Sequence, residues 1–307
     1  MSETLSVADL RSLAVSWALS LRADRKSPQT LKAYGDGVRF YLDWCEAGGH
    51  DALQRGTLRA WVADLLDGGA AASTARSRQL AVRRFTALLE DEGEVPADPF
   101  VGITAPKLDS KVVNPLSEDE LRALLRSCQP PKDATRSEQL RHRRDEAILR
   151  VMLETGARAG EVVAMTTADV DLLAGVATIQ RGKGGKGRTV PLGPHAVQAI
   201  DRYLRLRRAH RLADSPDLWL GDRGKQLAYD GLHKSLKARA EAAGVQGFHP
   251  HRMRHTAAHR WLRAGGSESG LMAVAGWTRP DMLMRYTKAQ AAERAAEEAK
   301  RLNLGDL

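Results

Sequence analysis

Across the first ninety or so residues, apolar positions recur every three or four places, the spacing of helices that each bury one face. In residues 27–49, SPQTLKAYGDGVRFYLDWCEAGG, the stripe runs through Leu31, Tyr34, Val38, Tyr41 and Leu42. Ser27 reads as an N-cap with Pro28 at the first helical position, and Gly48 and Gly49 read as the stop. TLRAWVADLLDGG and STARSRQLAVRRFTALLEDEG follow the same logic, the latter with an apolar face through Leu80, Val82, Phe85, Leu88 and Leu89. The pattern then breaks: EVPADPFVGITAPKLDSKVVNP carries prolines without either periodicity and reads as an extended connection between domains.

Helical spacing resumes at LSEDELRALLRSC, where Ser117 and Glu120 have capping-box spacing and Leu121, Leu124, Leu125 and Cys128 share a face. RRDEAILRVMLETG predicts a longer helix that stops at Gly156. The one clear strand signal comes next: GVATIQ and RTVPL flank the glycine-rich RGKGGKG, which predicts a hairpin. Helices alternate with short breaks thereafter. The expected architecture is mainly α, with a helical domain over 1–105, a linker over 106–116, and an α-rich domain over 117–307 holding a small β-sheet.

Composition narrows the functional classes. The chain has 307 residues, 43% of them hydrophobic, enough for about two cores. Cys45 and Cys128 are far apart and show no CxxC spacing, which argues against a disulfide framework or a cysteine metal site and for a reducing, cytoplasmic setting. No apolar run approaches a membrane span, and MSETLSVADLRSLAV lacks the regions of a secretory signal, so a soluble intracellular protein is expected. Net charge is +9, which permits a nucleic-acid partner without proving one. Its distribution says more: residues 1–110 hold 13 Lys/Arg against 15 Asp/Glu, and residues 111–307 hold 34 against 23.

The candidate chemistry lies in that basic second part. GFHPHRMRHTAAHR places His251, His255 and His259 four apart, on one helical face. HxxxH spacing occurs in zinc sites, but Arg252, Arg254, Arg260 and Arg263 surround these imidazoles and oppose a dication. The same cations suit an oxyanion: His251 and Arg254, three apart, could bind two oxygens of one phosphate. A merely solvated basic helix would explain the stretch taken alone. Elsewhere, ETGARAGEV sets Arg158 between alanines just past a glycine stop, with Glu161 three residues on, and Lys183 sits at the tip of the predicted hairpin. RGKGGKGRT lacks the GxxxxGK[ST] pattern, so nucleotide binding does not account for its glycines. In AGWTRPDMLMRYTKA, Trp277 precedes Tyr286 by nine residues, and both would ordinarily be core side chains.

Together these pieces resemble the tyrosine recombinase, or phage integrase, family, including its Xer-like members. The family order of Arg, hairpin Lys, HxxR, His or Trp, and Tyr is met by Arg158, Lys183, His251 with Arg254, Trp277 and Tyr286. HRMRHT, the Gly-Trp pair and RYT are the specific part of the match, TGARAGEV and GKGGKGRTVPLG are similar to the upstream boxes, and SPQTLKAYGDGVRFYLDWC is similar to the start of the family's SAM-like, four-helix DNA-clamping domain. Many members carry a second histidine where this chain has Trp277. An indole N–H can donate to a phosphate oxygen but cannot move a proton.

The resemblance implies site-specific DNA cutting and rejoining without metal, nucleotide or other cofactor. Arg158 and Arg254 would clamp the scissile phosphate and Trp277 would add a hydrogen bond. Tyr286 would attack to give a 3′-phosphotyrosine, with His251 helping to ionise it and Lys183 acting as acid to the leaving 5′-oxygen. Glu161 and His255 would support the site from behind. Two rounds of paired strand exchange imply four protomers on double-stranded DNA bearing short inverted half-sites, either all of this chain or shared with a paralogue. The tail KAQAAERAAEEAKRLNLGDL is expected to dock on a neighbouring protomer. Lys32, Arg76, Arg78, Arg83 and Arg84 are candidate DNA contacts, although charges on such helices are often only solvated. A type IB topoisomerase, or a non-catalytic DNA-binding relative, would be the alternative.

Overall fold

Ser6 caps the first helix. Its hydroxyl accepts from the Asp9 backbone N–H while the Asp9 carboxylate accepts from the Ser6 N–H, a reciprocal box that starts α1 (Val7–Ala23). This computed structural model describes residues 5–108, 113–180, 187–221 and 226–279, together with 283, 299 and 300. The chain divides into two compact units, Met1–Lys111 and Val112–Leu307.

The first unit continues with α2 (Pro28–Gly48), α3 (Arg55–Asp67) and α4 (Ala72–Asp91). Ser27 Oγ accepts from the Thr30 N–H at 3.1 Å with Pro28 in the first turn, and Gly49 ends α2 at φ 62°, a left-handed cap that glycine adopts without a Cβ penalty. Trp17, Val38, Tyr41, Leu42, Trp61, Val82, Phe85 and Leu89 form the core. Two sequence expectations are corrected. Leu80 is 41% exposed, because the buried face of α4 runs through Gln79, Val82, Thr86 and Leu89 and leaves Leu80 outside it. The proline-rich stretch is not extended throughout: Val95, Phe100 and Ile103 are buried in this same core.

In the second unit Ser117 and Glu120 form the capping box of α5 (Glu118–Arg126). Thr135 caps α6 (Arg136–Thr155), a full two turns longer on its N-terminal side than the apolar pattern predicts, and Gly156 ends it at φ 60°. Next come the short α7 (Ala159–Val163), a 3-10 turn at Thr167–Asp169 and strands β1 (Val170–Asp171), β2 (Val176–Ile179) and β3 (Arg188–Pro191). β2 and β3 pair antiparallel with Ile179 opposite Arg188, and β1 adds to the other edge of β2. β1, only two residues long, carries no periodic signal of its own. The helices α8 (Pro194–Arg207), α9 (Tyr229–Ala242), α10 (Pro250–Arg263) and α11 (Glu268–Ala275) complete the described elements.

Polar side chains do much of the fastening here. Buried Arg144 and Asp145 of α6 pair with each other, and Asp145 also accepts from Ser235 at 2.7 Å and Arg239 at 2.9 Å of α9. Arg207, at the end of α8, donates to the carbonyls of Ala213, Ser215, Asp217 and Leu218, which shapes a loop with few apolar residues of its own. Cys45 and Cys128 are both free and buried, and burial raises their thiols to about 11 and about 12. Among the described residues no helix is long and apolar enough to cross a membrane.

Candidate active site

Gly156 is the hinge on which the described part of the site is built. Its left-handed φ turns the chain sharply out of α6, so that Arg158 falls at the N-cap of α7. The Arg158 N–H donates to Glu161 Oε2 at 3.0 Å and its guanidinium pairs with Glu161 Oε1 at 2.8 Å. Glu161 is buried, yet Arg158 keeps 29% of its side chain exposed. Burial by itself would raise the Glu161 carboxyl. The Arg188 hydrogen bond, the Arg158 N–H and the two nearby charges outweigh it and hold the group below its ordinary value.

α10 reaches the same hinge from residues about a hundred positions later. Arg254 donates from Nη1 to the Gly156 carbonyl at 2.6 Å, and its guanidinium lies 5.2 Å from the centre of the Trp277 ring. It is 2% exposed and Trp277 4%, so both are buried. Arg254 supplies the charged wall, and Trp277 packs with Ala258, Leu262, Leu271, Ala275 and Leu283 in a small cluster beneath α10 and α11. A guanidinium over an indole face is an attractive arrangement that also fixes the fork.

The histidines take separate places. His251, in the first turn of α10, is exposed. His255 stands one turn on, its ring edge-on to His251 at 4.7 Å. Its imidazole is pushed down to about 4, first by burial and then by the neighbouring His251, His259, His249 and Arg254, so it is neutral at pH 7. His249 caps α10 by accepting from the Arg252 N–H at 3.2 Å. The sequence reading gave it no role, and its position directly before a first-turn proline is the signal that could have found it. Among the described residues no group of three or more His, Cys, Asp or Glu side chains is placed to hold a metal ion. Two other arginines of the helix make contacts within the unit: Arg252 donates to the Asn114 and Gln246 carbonyls and pairs with Glu120, and Arg260 holds both Glu118 oxygens at 2.7 Å at the surface.

Thr256 pins this helix from behind. Wholly buried, it accepts from the Leu116 N–H at 2.8 Å and donates to the Arg252 carbonyl at 2.8 Å. Leu116, placed in the linker by the sequence reading, therefore packs in the core of the second unit. Arg188 was also missed. It donates from Nη2 to Glu161 Oε2 at 2.7 Å and from Nε to the Val274 carbonyl at 2.8 Å. The signal was present in RTVPL, where Arg188 shares the inward face with the fully buried Val190, and an inward arginine needs a buried acceptor. Lys183 and Tyr286 lie outside the described residues.

The candidate DNA contacts in the first unit fall in two groups. Lys32 is highly exposed and pairs with Asp36 at 2.7 Å, while Arg78 lies 4.5 Å over the Phe40 ring beside a groove lined by Asp36, Gly37, Ser73 and Ser77. Arg76, Arg83 and Arg84 sit on another side of α4, the side that also presents Leu80.

Comparison with known proteins places the chain in a family. The phage integrase family model matches residues 114–293, and the model of the phage integrase N-terminal SAM-like domain matches residues 14–93. Tyrosine recombinase XerD of Corynebacterium glutamicum is 32% identical over 292 residues, covering 92% of this chain and 94% of its own. Tyrosine recombinase XerC of Roseiflexus sp. is 31% identical over 299 residues, covering 94% and 88%. Among solved structures, the Tn1549 transposon integrase in complex with transposon right end DNA superposes with a TM-score of 0.71 at 17% identity, over 96% of this chain and 99% of that one. The XerH site-specific recombinase bound to a palindromic difH substrate gives 0.71 at 18% identity, over 95% and 84%. Family models over both units and relatives aligned along nearly the whole length leave one conclusion: the chain belongs to the phage integrase family of tyrosine recombinases, enzymes that break and rejoin DNA strands.

Proposed function

We propose that this recombinase uses Arg158, Lys183, His251, Arg254, Trp277 and Tyr286 as one phosphate-binding and strand-transferring centre. The observation that carries the reading is the meeting of Arg158 and the His251–Arg254 helix at Gly156, with Trp277 against the Arg254 guanidinium. Arg158 and Arg254 bind the non-bridging oxygens of the scissile phosphate and offset the charge that builds there during attack. The Tyr286 oxygen bonds to phosphorus, the bond to the 5′-oxygen breaks, and a 3′-phosphotyrosine remains. His251 takes the tyrosine proton and Lys183 delivers one to the leaving oxygen, so a 5′-hydroxyl departs. A 5′-hydroxyl from a second duplex reverses the step and joins the strands without an external energy source.

Glu161 orients Arg158, and neutral His255 backs His251. Lys32, Arg76, Arg78, Arg83 and Arg84 contact the duplex, with residues 106–116 joining the clamping and catalytic domains. Exchange runs in a tetramer on paired, inverted half-sites in the cytoplasm at the nucleoid, with the tail after Tyr286 docked on a neighbouring protomer.

The test uses nicked suicide duplexes built on sequences that the protein itself selects from a random library. A covalent protein–DNA adduct on denaturing gels is expected, absent in Tyr286→Phe. No adduct, or one that survives this substitution, overturns the reading. Strand exchange between two labelled duplexes, rather than relaxation alone, separates it from a topoisomerase.

A further inference from the structure

We infer that Arg188 is a positioning residue of the strand-transfer centre, a side chain that ties the hairpin, Arg158 and the segment leading to Trp277 together. This rests on the site reading above. Arg188 opens β3 opposite Ile179, and Lys183 lies between the two strands in sequence. Its Nη2 reaches the Glu161 oxygen that also accepts the Arg158 N–H, while the second Glu161 oxygen holds the Arg158 guanidinium. Its Nε reaches the Val274 carbonyl in the last turn of α11, three residues before Trp277.

The fit is specific to a planar fork. The two acceptors lie 2.7 and 2.8 Å from different nitrogens of one guanidinium, and a lysine ammonium could take only one of those positions. Gly276 completes the seat. It caps α11 at φ 64°, and a Cβ there would stand 2.8 Å from Arg188 Cζ and Nη1. Glycine suits the left-handed backbone there, and a side chain would have to push the Arg188 guanidinium from its seat. With Nη2 on Glu161 and Nε on the Val274 carbonyl, Arg188 is placed to brace its neighbours.

A brace of this kind acts on rate, because a displacement near 1 Å of a phosphate-binding group costs about a hundredfold. An ion pair serving stability alone would lower the unfolding midpoint and leave the chemical step intact. The experiment measures single-turnover cleavage of the nicked duplexes at saturating full-length protein, with DNA affinity measured separately. Arg188→Ala is expected to slow cleavage by about 10- to 100-fold while the dissociation constant changes by less than about threefold. Arg188→Lys, which keeps the charge near Glu161, is expected to recover part of the rate and covers the case in which the alanine variant does not fold.

The route through Arg158 has its own readout. In an Arg158→Lys background, Arg188→Ala should cost far less than it does alone, since the group it positions is already altered. Cleavage by Arg188→Ala and Arg188→Lys at the wild-type rate, or full additivity with Arg158→Lys, overturns the inference while the wild-type adduct keeps the site reading standing. Failure of the wild-type chain to form an adduct overturns both.

Discussion

Thr256→Val tests whether the helix carrying His251 and Arg254 is held by a hydrogen bond or by volume. Valine keeps the shape and the methyl of threonine, so packing is nearly unchanged, but the Leu116 N–H loses its acceptor in a site that is wholly buried. Leaving a buried donor unsatisfied costs about 1–3 kcal/mol. Thr256→Ser does the reverse: it keeps the oxygen and deletes a methyl, at about 1 kcal/mol. The order of damage therefore identifies the cause. Native-state hydrogen exchange, read by mass spectrometry on peptides spanning 116–126 and 250–263, reports each opening separately from the first unit. About 1.4 kcal/mol corresponds to tenfold faster exchange, so Thr256→Val should accelerate both peptides by roughly 5- to 140-fold and exceed Thr256→Ser. A serine variant more damaged than the valine variant would refute the hydrogen-bond account.

Within α2, two glycines two residues apart should respond with opposite signs. A Cβ at Gly35 meets nothing within 4 Å, so Gly35→Ala should stabilise the first unit by about 0.5–1 kcal/mol, whereas a Cβ at Gly37 would lie 2.7 Å from Ala81 Cβ, and Gly37→Ala should destabilise it by about 1–3 kcal/mol, both read from urea midpoints. His255 makes the second unit acid-sensitive: its unfolded imidazole titrates near 6.5 and its folded one near 4, so stability is fully present above pH 6.5 and falls as pH drops toward 4, by up to about 1.4 kcal/mol per pH unit. Denaturation at pH 7.5 and 5.5 should show this loss, and His255→Gln should reduce it. Replacing chloride by sulfate at constant ionic strength should slow exchange around 154–163, by about tenfold at ten times the dissociation constant, and Arg158→Gln should abolish that effect. Equal slowing in the variant would mean a general salt effect instead.

Local rules wrote much of the fold in plain view. Ser27, Ser117 and Glu120 cap the helices they were expected to cap, Gly49 and Gly156 end theirs, and the β2–β3 pairing follows from two short apolar runs around a glycine-rich turn. The misses share a physical cause, since each was decided by packing across long sequence separations. Leu80 is apolar but falls outside the face that α4 buries, and Val95, Phe100 and Ile103 sit among prolines that hide any period although the core accepts them. In the site, the histidine ladder suggested a shared role. The structure gives His251 an exposed ring and His255 a neutral, half-buried one, while His249, just before them, caps the helix. Arg188 and Thr256 escaped notice because their partners, Val274, Glu161 and Leu116, are 27 to 140 residues distant.

The distribution of charge explains why a site so dense in arginine holds together before any phosphate arrives. Glu161 is shared by two guanidiniums, which leaves one positive charge of that trio uncompensated by it. The Gly156 and Val274 carbonyls supply further acceptors, and they are dipoles rather than charges, so they fix the direction of Arg254 and Arg188 without neutralising them. A second carboxylate would bind these arginines more tightly, but a phosphate would then have to displace it and lose the attraction that draws it in. The folded unit must tolerate the remaining repulsion, and it has means to do so remote from the site: Arg144 and Asp145 lock α6 to α9, and Arg207 closes its loop on four carbonyls. Stability is thereby supplied in part by contacts outside the candidate site, which leaves Arg158, half-exposed beside Glu161, free of that task.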